Sequence, residues 1–498
     1  MHEVFQDLFI FEMANNHQGS LEHGLRIIEA MGEIASRQGI RAAVKFQYRD
    51  LDSFIHPQYR DRQDVKHIPR FLATRLEDRE FRELVAAVRA AGLIPMCTPF
   101  DEPSVDRCRQ HGMEILKVAS CSAADWPLLE AVARAGKPVV VSTAGLELTQ
   151  IDNLVSFFGH RKVDLALMHC VALYPTPPEK VAMNFLERLI RRYPFLPVGY
   201  SGHEAPDELD VVKVAVSKGA CLLERHVGVA TGEISLNAYS MNPEQVEAWV
   251  ASALKARRIC GQGWERPHDQ AEQESLLSLQ RGVYAARTIS RGQGLGREDV
   301  FFAMPCQPGQ TTSGQFGRKR ARFRAGREYQ AQEPIRESSP PDSITRAREI
   351  IHHCRGMLHE AGIILGDGCE IELSHHYGLE RFPQTGALIV NLVNREYCKK
   401  IVVMLAGQEH PCHRHQVKEE TFQLLWGDLT VNLNQIEHHL RPGDMLLVER
   451  GAWHSFTTRG GAVFEEISTT QLPNDSYYQD PDIAALDPME RKTVVDSW

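Results

Sequence analysis

The sequence has 498 residues, 43% of them apolar and 24% charged, and a formal net charge of −9. These values are typical of a globular chain with two to four domains. The one basic stretch, 318–324, is short and favours a solvated surface or an anion-facing edge over the extended basic face that binds nucleic acid. Eleven cysteines form no CxxC pair, so we expect a reducing, cytoplasmic location and no disulfide framework. No apolar run approaches the roughly 20 residues that span a bilayer, and the acidic N-terminal segment predicts no signal peptide.

The first half of the chain alternates short apolar runs with amphipathic segments. The runs cover 8–14, 42–47, 93–98, 114–119, 138–143, 165–170, 197–201 and 221–227. Helical periodicity appears between them, at 22–37, 78–91, 127–135 and 206–217. Eight such βα units in about 250 residues predict an α/β fold of the (β/α)8 TIM-barrel type. A doubly wound open sheet is the alternative, and it is disfavoured because no GxGxxG turn follows a strand.

Polar residues recur at or just after the carboxyl end of each predicted strand. They are Glu12, Lys45, Gln47, Thr98, Lys117, Ser120, Ser142, His169, Ser201, His203, Glu224 and His226. In a barrel these strand ends meet at one mouth, where active sites form. A buried lysine or histidine costs several kcal/mol unless it is paired or functional, so this set predicts a site.

The residue types at this mouth suit a small phosphorylated carboxylate. Lys45 and Lys117 could balance a phosphate of about −1.5 to −2 charges together with a carboxylate, and the hydroxyls add hydrogen bonds. His203 and His226 end consecutive strands, so both imidazoles could reach one metal ion.

Nine motifs in order along residues 8–260 resemble the sialic acid synthase family. They are Glu12-Met-Ala-Asn-Asn-His17, Val44-Lys-Phe-Gln47, Thr98-Pro-Phe-Asp101, Lys117-Val-Ala-Ser120, Ser142-Thr-Ala-Gly145, Tyr174-Pro-Thr-Pro177, Met183-Asn-Phe185, Gly199-Tyr-Ser-Gly-His203 and Glu224-Arg-His226. The resemblance continues into 281–336, which is similar to the antifreeze-like domain of those enzymes. Arg287-Thr-Ile-Ser-Arg-Gly292 and the Pro308-Gly309 turn carry this second likeness.

The resemblance implies a condensation of phosphoenolpyruvate with a sugar aldehyde, giving a 2-keto-3-deoxy sugar acid and phosphate. The implied phosphoenolpyruvate ligands are Lys45, Gln47, Thr98, Lys117, Ser120, Ser142, Asn184 and Ser201. His203 and His226 would hold a divalent ion, manganese or magnesium, with Glu12 as the acid/base and Glu224 in the same catalytic set. The family also implies a homodimer in which the antifreeze-like domain covers the partner's barrel. No nucleic-acid or membrane partner is expected.

Three departures from the family pattern fall on the acceptor side of the site. Ser122 replaces an acid, Leu236-Asn237 replaces an Asp-His pair, and Gln307 replaces an arginine. With Tyr174, the residues Ser122, Asn237 and Gln307 form the predicted acceptor set. Because the donor set is retained, we expect an acceptor other than N-acetylmannosamine.

The rest of the chain predicts a linker and then an all-β metal site. The predicted domains are 1–280 (barrel), 281–336 (antifreeze-like), 337–384 (linker and helical lead-in) and 385–498 (cupin barrel and tail). Gly407-x5-His413-x-His415-x4-Glu420-x6-Gly427 and Gly443-x7-Gly451-x2-His454 have the spacing of the two cupin motifs, with Glu449 in place of the usual proline. His413, His415, Glu420 and His454 then predict a three-histidine, one-carboxylate site for zinc, manganese, iron or nickel. His375 and His376 are predicted to pack rather than bind metal.

Two alternatives to the synthase stay open at this stage. A degenerate barrel could bind a sugar or regulate a partner without turnover, although the retained Glu12, both lysines and both barrel histidines argue against it. The other alternative is a cupin-driven isomerase or epimerase with the barrel as a lyase. The cupin's own role is also open: the string from His413 to Phe422 is similar to that of cupin sugar isomerases, but the domain could instead sense a sugar or serve only the structure.

Overall fold

A computed structural model describes residues 3–261, 263 and 266–498. The chain forms two compact units, Met1–Arg266 and Pro267–Trp498. No helix among these described residues has the length and apolarity to cross a membrane.

The first unit is a closed barrel of eight parallel strands, so the predicted TIM-barrel fold is confirmed. The strands are β1 (Leu8–Glu12), β2 (Arg41–Tyr48), β3 (Ile94–Pro99), β4 (Ile115–Val118), β5 (Val139–Ser142), β6 (Leu165–Cys170), β7 (Val198–Gly202) and β8 (Leu222–His226). Each strand pairs with the next along the chain, and β8 pairs with β1 to close the barrel.

Helices connect the strands. They are α1 (Leu21–Gln38), α2 (Leu51–Phe54), α3 (Ile68–Ala73), α4 (Asp78–Ala90), α5 (Glu102–Gln110), α6 (Trp126–Arg134), α7 (Leu148–His160), α8 (Met183–Arg192), α9 (Asp210–Ser217) and α10 (Pro243–Cys260). Local chemistry sets their ends: the Ser20 side chain accepts a hydrogen bond from the first turn of α1, and left-handed Gly39 closes it. Helix α9 begins four residues later than the sequence pattern predicts.

Alternation along the strands separates two apolar layers. One side of each strand packs against the helices, for example Phe9 and Val44. The other side fills the barrel interior with Leu8, Ile10, Ala43, Met96, Ile115, Val140, Ala166, Met168 and Leu222. Because strand side chains repeat every two residues, the next interior positions after Ile10, Ala43, Ile115 and Leu222 are Glu12, Lys45, Lys117 and Glu224. The apolar interior therefore forms the floor beneath the predicted site.

The second unit begins with helix α11 (Gln270–Leu279) and a small two-stranded segment. Strands β9 (Gly282–Ala285) and β10 (Val300–Ala303) pair antiparallel, and helix α12 (Ser313–Gly317) follows. Val283, Ile289, Tyr329 and Ile335 form a separate core in this segment. Its assignment as an antifreeze-like domain stays a prediction.

Two antiparallel sheets form the remainder of the second unit. Helix α13 (Ser343–Glu360) comes first. The strands that follow are β11 (Glu370–Ser374), β12 (Ala387–Asn394), β13 (Tyr397–Met404), β14 (Glu409–Arg414), β15 (Glu420–Gly427), β16 (Leu429–Leu433), β17 (Ile436–Leu440), β18 (Met445–Val448), β19 (His454–Thr457), β20 (Ala462–Thr469), β21 (Tyr477–Tyr478) and β22 (Lys492–Val495), with the short helix α14 (Pro481–Ala484) between the last two. The sheet orders are β18-β15-β20-β13-β12-β11-β22 and β17-β16-β19-β14-β21. Strand β11 pairs with β12 and β22, so the larger sheet extends into the segment predicted as a lead-in.

Candidate functional site

The barrel interior holds a buried network of two lysines and two glutamates. Glu224 lies at its centre: one carboxylate oxygen, Oε2, is 2.9 Å from Lys117 Nζ and 3.4 Å from Lys45 Nζ. The other oxygen accepts a hydrogen bond of 2.7 Å from the Ser201 hydroxyl. Lys45 also forms an ion pair with Glu12, and all four charged side chains are at least 95% buried. The network is charge-balanced, which is what makes its burial tolerable.

The two carboxyl groups of the network differ in their proton affinity. Burial raises the pKa of Glu12 above its usual range, although Lys45 opposes the change. Burial would also raise the pKa of Glu224, but the ammonium groups of Lys117 and Lys45 outweigh it and lower that pKa. Glu224 is therefore the fixed anion that holds both lysines, and Glu12 is the carboxyl group that accepts a proton more readily.

Several hydroxyl and amide groups that the sequence predicts for this site lie at or near the charged network. Lys45 Nζ lies 3.4 Å from Thr98 Oγ1, and Gln47 Nε2 lies 3.5 Å from Glu12 Oε1. Ser120 Oγ accepts a hydrogen bond from the Ala144 amide. Ser142 is buried at the end of β5, whereas Asn184 is exposed in the first turn of α8. The contacts bring Glu12, Lys45, Gln47, Thr98, Lys117, Ser201 and Glu224 into one cluster.

His203 and His226 lie side by side at the ends of β7 and β8, with ring centroids 5.5 Å apart. The Nδ1 atom of His203 donates to the Val171 carbonyl at 3.0 Å, which leaves its Nε2 free as a ligand atom. Burial lowers the pKa of His203 to about 4 and that of His226 well below its usual value, so both rings are neutral at pH 7. Neutral imidazoles are the form that binds metal ions, so this pair fits a divalent cation.

Aromatic rings surround the histidine pair. The ring of Tyr174 lies 4.3 Å from that of His203, and the ring of Tyr239 lies 5.0 Å from that of His226. The two tyrosine rings are 5.1 Å apart. Tyr174 was predicted from the sequence and Tyr239 was not, because an isolated aromatic in a loop carries no signal of its own.

The three departures from the family pattern have different surroundings. Ser122 is buried after β4. Asn237 orders its own loop, since its side-chain oxygen accepts the amides of Tyr239 and Ser240. Gln307 belongs to the second unit, where its side-chain oxygen lies 3.2 Å from an Arg336 guanidinium nitrogen.

A second cluster, in the β-sheet part of the second unit, contains the predicted cupin ligands. The ligand atoms of His413, His415 and His454 lie within 4.8 Å of one another, and all three residues are buried. Glu420 joins them, with its oxygens 3.5 Å from His415 Nε2 and 3.2 Å from His454 Nε2. Among the described residues, buried Glu420 Oε2 and His454 Nε2 have no hydrogen-bond partner.

Backbone carbonyls set the orientation of all three imidazoles. His413 Nδ1 donates to Pro411 O at 3.0 Å, His415 Nδ1 to Asp475 O at 2.6 Å, and His454 Nδ1 to Ala452 O at 3.1 Å. A proton on Nδ1 leaves each Nε2 lone pair free, which is the arrangement that metal-binding histidines use. The donor set and its orientation therefore fit a divalent metal ion.

Asp475 supports this cluster, and the sequence did not reveal it. Its carboxylate accepts hydrogen bonds from the backbone amides of Gln416, Val417 and Lys418, at 2.8–3.1 Å. Asp475 thus fixes the turn after His415 with its side chain and the His415 ring with its carbonyl. It follows His415 by 60 residues, and no motif connects the two positions.

Further buried polar groups adjoin the cupin cluster. Lys418 pairs with Glu420 and lies 3.0 Å from Glu466, which is 3.1 Å from Lys400. On another side, His376 Nε2 lies 2.9 Å from the Tyr478 hydroxyl, and the His376 ring contacts that of His410 at 4.7 Å. His376 remains outside the three-histidine group.

Comparisons with known proteins match parts of both units. A family model described as the NeuB family matches residues 33–265, and one described as a cupin domain matches residues 400–468. A crystal structure from Chromobacterium violaceum, assigned as spore coat polysaccharide biosynthesis protein E, is 45% identical with a TM-score of 0.64. It covers 66% of this chain, which spans 98% of that structure. The chain belongs to the NeuB family.

More distant NeuB relatives are named as sugar acid synthases. The N,N'-diacetyllegionaminic acid synthase of Legionella pneumophila is 27% identical over 313 residues, 59% of this chain and 85% of that protein. Human N-acetylneuraminate-9-phosphate synthase is 26% identical over 257 residues, 51% of this chain and 70% of that protein. The predicted relationship to sialic acid synthases and the C-terminal cupin domain are thus confirmed.

Proposed function

We propose that the barrel condenses phosphoenolpyruvate with the aldehyde of an open-chain sugar, forming a 2-keto-3-deoxy sugar acid and phosphate. The observation that carries the proposal is the buried Glu12–Lys45–Glu224–Lys117 network on the apolar floor of the barrel. Synthases among the NeuB relatives support the reaction class.

The donor would bind through the lysines and the hydroxyls beside them. Lys45 and Lys117 supply two positive charges for the phosphate and carboxylate of phosphoenolpyruvate, and Glu224 keeps both ammonium groups in position. Thr98 and Ser201 add hydroxyl groups at the same depth. Gln47, Ser120, Ser142 and Asn184 complete the proposed donor set. Burial strengthens these contacts, since charge-assisted hydrogen bonds gain from a low local dielectric.

In the proposed reaction, C3 of phosphoenolpyruvate forms a bond to the aldehyde carbon of the sugar. Glu12 transfers the proton that the aldehyde oxygen takes up, from a position beside Lys45 and Gln47. Water then adds at C2 and returns one proton to Glu12. The tetrahedral centre collapses to the ketone as the bond from C2 to the phosphate oxygen breaks, and the remaining hydroxyl proton leaves with the phosphate. A divalent cation held by His203 and His226 would supply positive charge to the aldehyde oxygen. Two imidazole donors favour manganese over magnesium, which prefers oxygen ligands.

The acceptor would lie on the side of Tyr174, Ser122 and Asn237, with Gln307 in the predicted set. Hydrogen-bonding sites discriminate by up to about 10⁴–10⁵ against ligands that leave their polar groups unpaired. Replacing two acids, an imidazole and a guanidinium therefore changes which sugar fits. We propose that N-acetylmannosamine and its 6-phosphate are poor acceptors.

We propose further that the cupin binds a divalent metal, zinc, manganese, iron or nickel, through His413, His415, His454 and Glu420. The free Nε2 atoms and the unpartnered Glu420 oxygen support this proposal. Isomerisation of a ketose to the acceptor aldose is the reaction that would link such a metal to the barrel chemistry.

The test is phosphate release from phosphoenolpyruvate with a panel of aldoses and ketoses. The wild type should release phosphate with at least one aldose, Lys117→Met should abolish release, and Lys213→Met, an exposed lysine on α9, should not. If folded protein supplied with manganese releases phosphate with none of the sugars in the panel, the degenerate barrel is supported instead. Efficient turnover of N-acetylmannosamine would contradict the acceptor proposal. Ketose turnover that persists in His415→Ala would contradict isomerisation by the cupin.

A further inference from the structure

A cavity of about 120 Å³ lies beside the proposed site in the first unit. Its lining includes Asn15, His17, Gln47, Arg49, Arg75 and Arg107. The volume is several times the roughly 10–15 Å³ that one water needs. Gln47 joins the cavity to the reaction centre, because its amide nitrogen lies 3.5 Å from Glu12 Oε1.

Arg49 lines this cavity with a guanidinium group that forms no ion pair among the described residues. The group stacks on Phe100 at 3.6 Å and on Phe71 at 4.1 Å, and its Nη1 donates to Gln47 Oε1 at 3.1 Å. Its Nε atom is buried and has no hydrogen-bond partner among the described residues. Burial lowers the pKa of Arg49 to about 10, so the side chain remains charged at neutral pH.

The acidic groups in the wall of the cavity are already paired with other arginines. Arg107 lies 3.5 Å from Asp50 and 3.8 Å from Asp78. Arg75 lies 3.8 Å from Glu77 and 3.3 Å from Asp52. Glu12 and Asp101 attract the charge of Arg49 from further away. Glu12 is paired with Lys45, and the Asp101 carboxylate accepts the backbone amides of Asp50 and Ser104, so Arg49 is left without an ion pair among the described residues.

A largely buried charge without a counter-ion is unfavourable. Two planar aromatic contacts hold the guanidinium in a fixed orientation, and a fixed guanidinium is the group that best recognises carboxylate or phosphate. We propose that Arg49 binds an anionic group, phosphate or carboxylate, carried by the acceptor sugar. The aldehyde end of that sugar would lie toward Gln47 and Glu12, and its charged end in the Arg49 cavity.

This inference rests on the proposed condensation, so its test uses binding as well as turnover. Isothermal titration without phosphoenolpyruvate would compare three groups of ligand: hexose 6-phosphates, hexuronates and the matching neutral hexoses. At least one anionic sugar should bind the wild type more tightly than its neutral counterpart, and whichever group binds identifies the anion as phosphate or carboxylate.

Arg49→Met removes the charge while keeping an unbranched side chain between the two phenylalanines. It should weaken the anionic sugar on the order of 10- to 100-fold, the range for a lost charged hydrogen bond, and leave neutral sugars unchanged. Arg49→Lys, which keeps the charge but not the planar fork, should lose affinity in the same direction. Arg79→Met serves as the control, because that guanidinium is 89% exposed on α4. Lys117→Met should retain the anionic sugar.

Three results would overturn the assignment. In the first, no anionic sugar binds the wild type better than its neutral counterpart. In the second, both Arg49 variants bind as the wild type does. In the third, the anion is lost in Lys117→Met and kept in Arg49→Met, which would place it in the donor site. Arg49-dependent binding without phosphate release would support the inference and contradict the condensation. Condensation with neutral aldoses alone would support the proposed reaction and contradict the inference about Arg49.

Discussion

Glu224→Gln is the substitution that most directly tests the buried network. The change is nearly isosteric, and it removes one negative charge from a cluster that contains two of each sign. With its oxygen toward the lysines, the glutamine can donate its amide group to the Ser201 hydroxyl, so the number of hydrogen bonds can be kept. Any large effect therefore reports on charge rather than on packing or hydrogen-bond number.

The size of the effect follows from the two distances to Glu224 Oε2. At 2.9 Å from Lys117 and 3.4 Å from Lys45, an effective dielectric of about 20 gives attractions of about 6 and 5 kcal/mol. Reorganisation and water entry absorb part of this sum, and removing one partner of a buried pair typically costs about 3–5 kcal/mol. We expect Glu224→Gln to destabilise the barrel unit by that amount.

Calorimetric unfolding with and without phosphoenolpyruvate measures both parts of the prediction. The lysines of the variant lack one counter-ion, so the ligand should raise the unfolding temperature of the variant more than that of the wild type. Glu130→Gln, which breaks an exposed pair with Arg161, should change stability by no more than about 1 kcal/mol. A Glu224→Gln protein as stable as the wild type, with the same ligand response, would refute the view that Glu224 organises the lysines.

Two further predictions concern buried groups outside this network. Burial lowers the pKa of His17 from 6.5 to about 4, so below pH 6.5 the unfolded chain binds more protons than the folded one and stability falls. Between pH 7 and pH 4 the wild type should lose about 3 kcal/mol of unfolding free energy relative to His17→Asn, measured by chemical denaturation. Parallel pH profiles of the two proteins would contradict this. Asp475→Asn should lower the metal affinity of the cupin by about 10–100-fold in metal titrations, because three backbone amides lose a charged acceptor. The control Asp482→Asn changes an exposed residue and should leave the affinity as it is. Equal metal affinities of Asp475→Asn and the wild type would show that Asp475 does not position His415.

The strand pattern predicted both the barrel and the position of its charged residues above the apolar interior, for one physical reason. Side chains on a strand alternate, so an apolar residue at Ile10 or Ala43 fixes the direction of Glu12 or Lys45 two positions later. The convergence of the predicted cupin residues could be predicted on similar grounds, since their spacing places His413 and His415 on one face of β14 and its exit.

Features that depend on contacts distant in sequence were not predictable in this way. Asp475 reaches the turn after His415 across 60 residues, and Tyr478 reaches His376 across 102. A lone arginine after a strand resembles a surface residue, and no sequence pattern places the rings of Phe71 and Phe100 against the Arg49 guanidinium. The predictions for Asn184 and Gln307 came from resemblance alone and remain to be tested.

The two candidate metal sites differ in how much of the coordination the protein supplies. In the cupin cluster, three imidazoles and a carboxylate converge, and each imidazole is fixed by a carbonyl at Nδ1. In the barrel, two neutral imidazoles are present and the nearby carboxylates, Glu12 and Glu224, are already bound to lysines. A cation there must complete its coordination with water or substrate oxygens. We therefore expect the barrel site to bind a metal weakly alone and more tightly with an oxygen-rich sugar, as activation of an aldehyde would require.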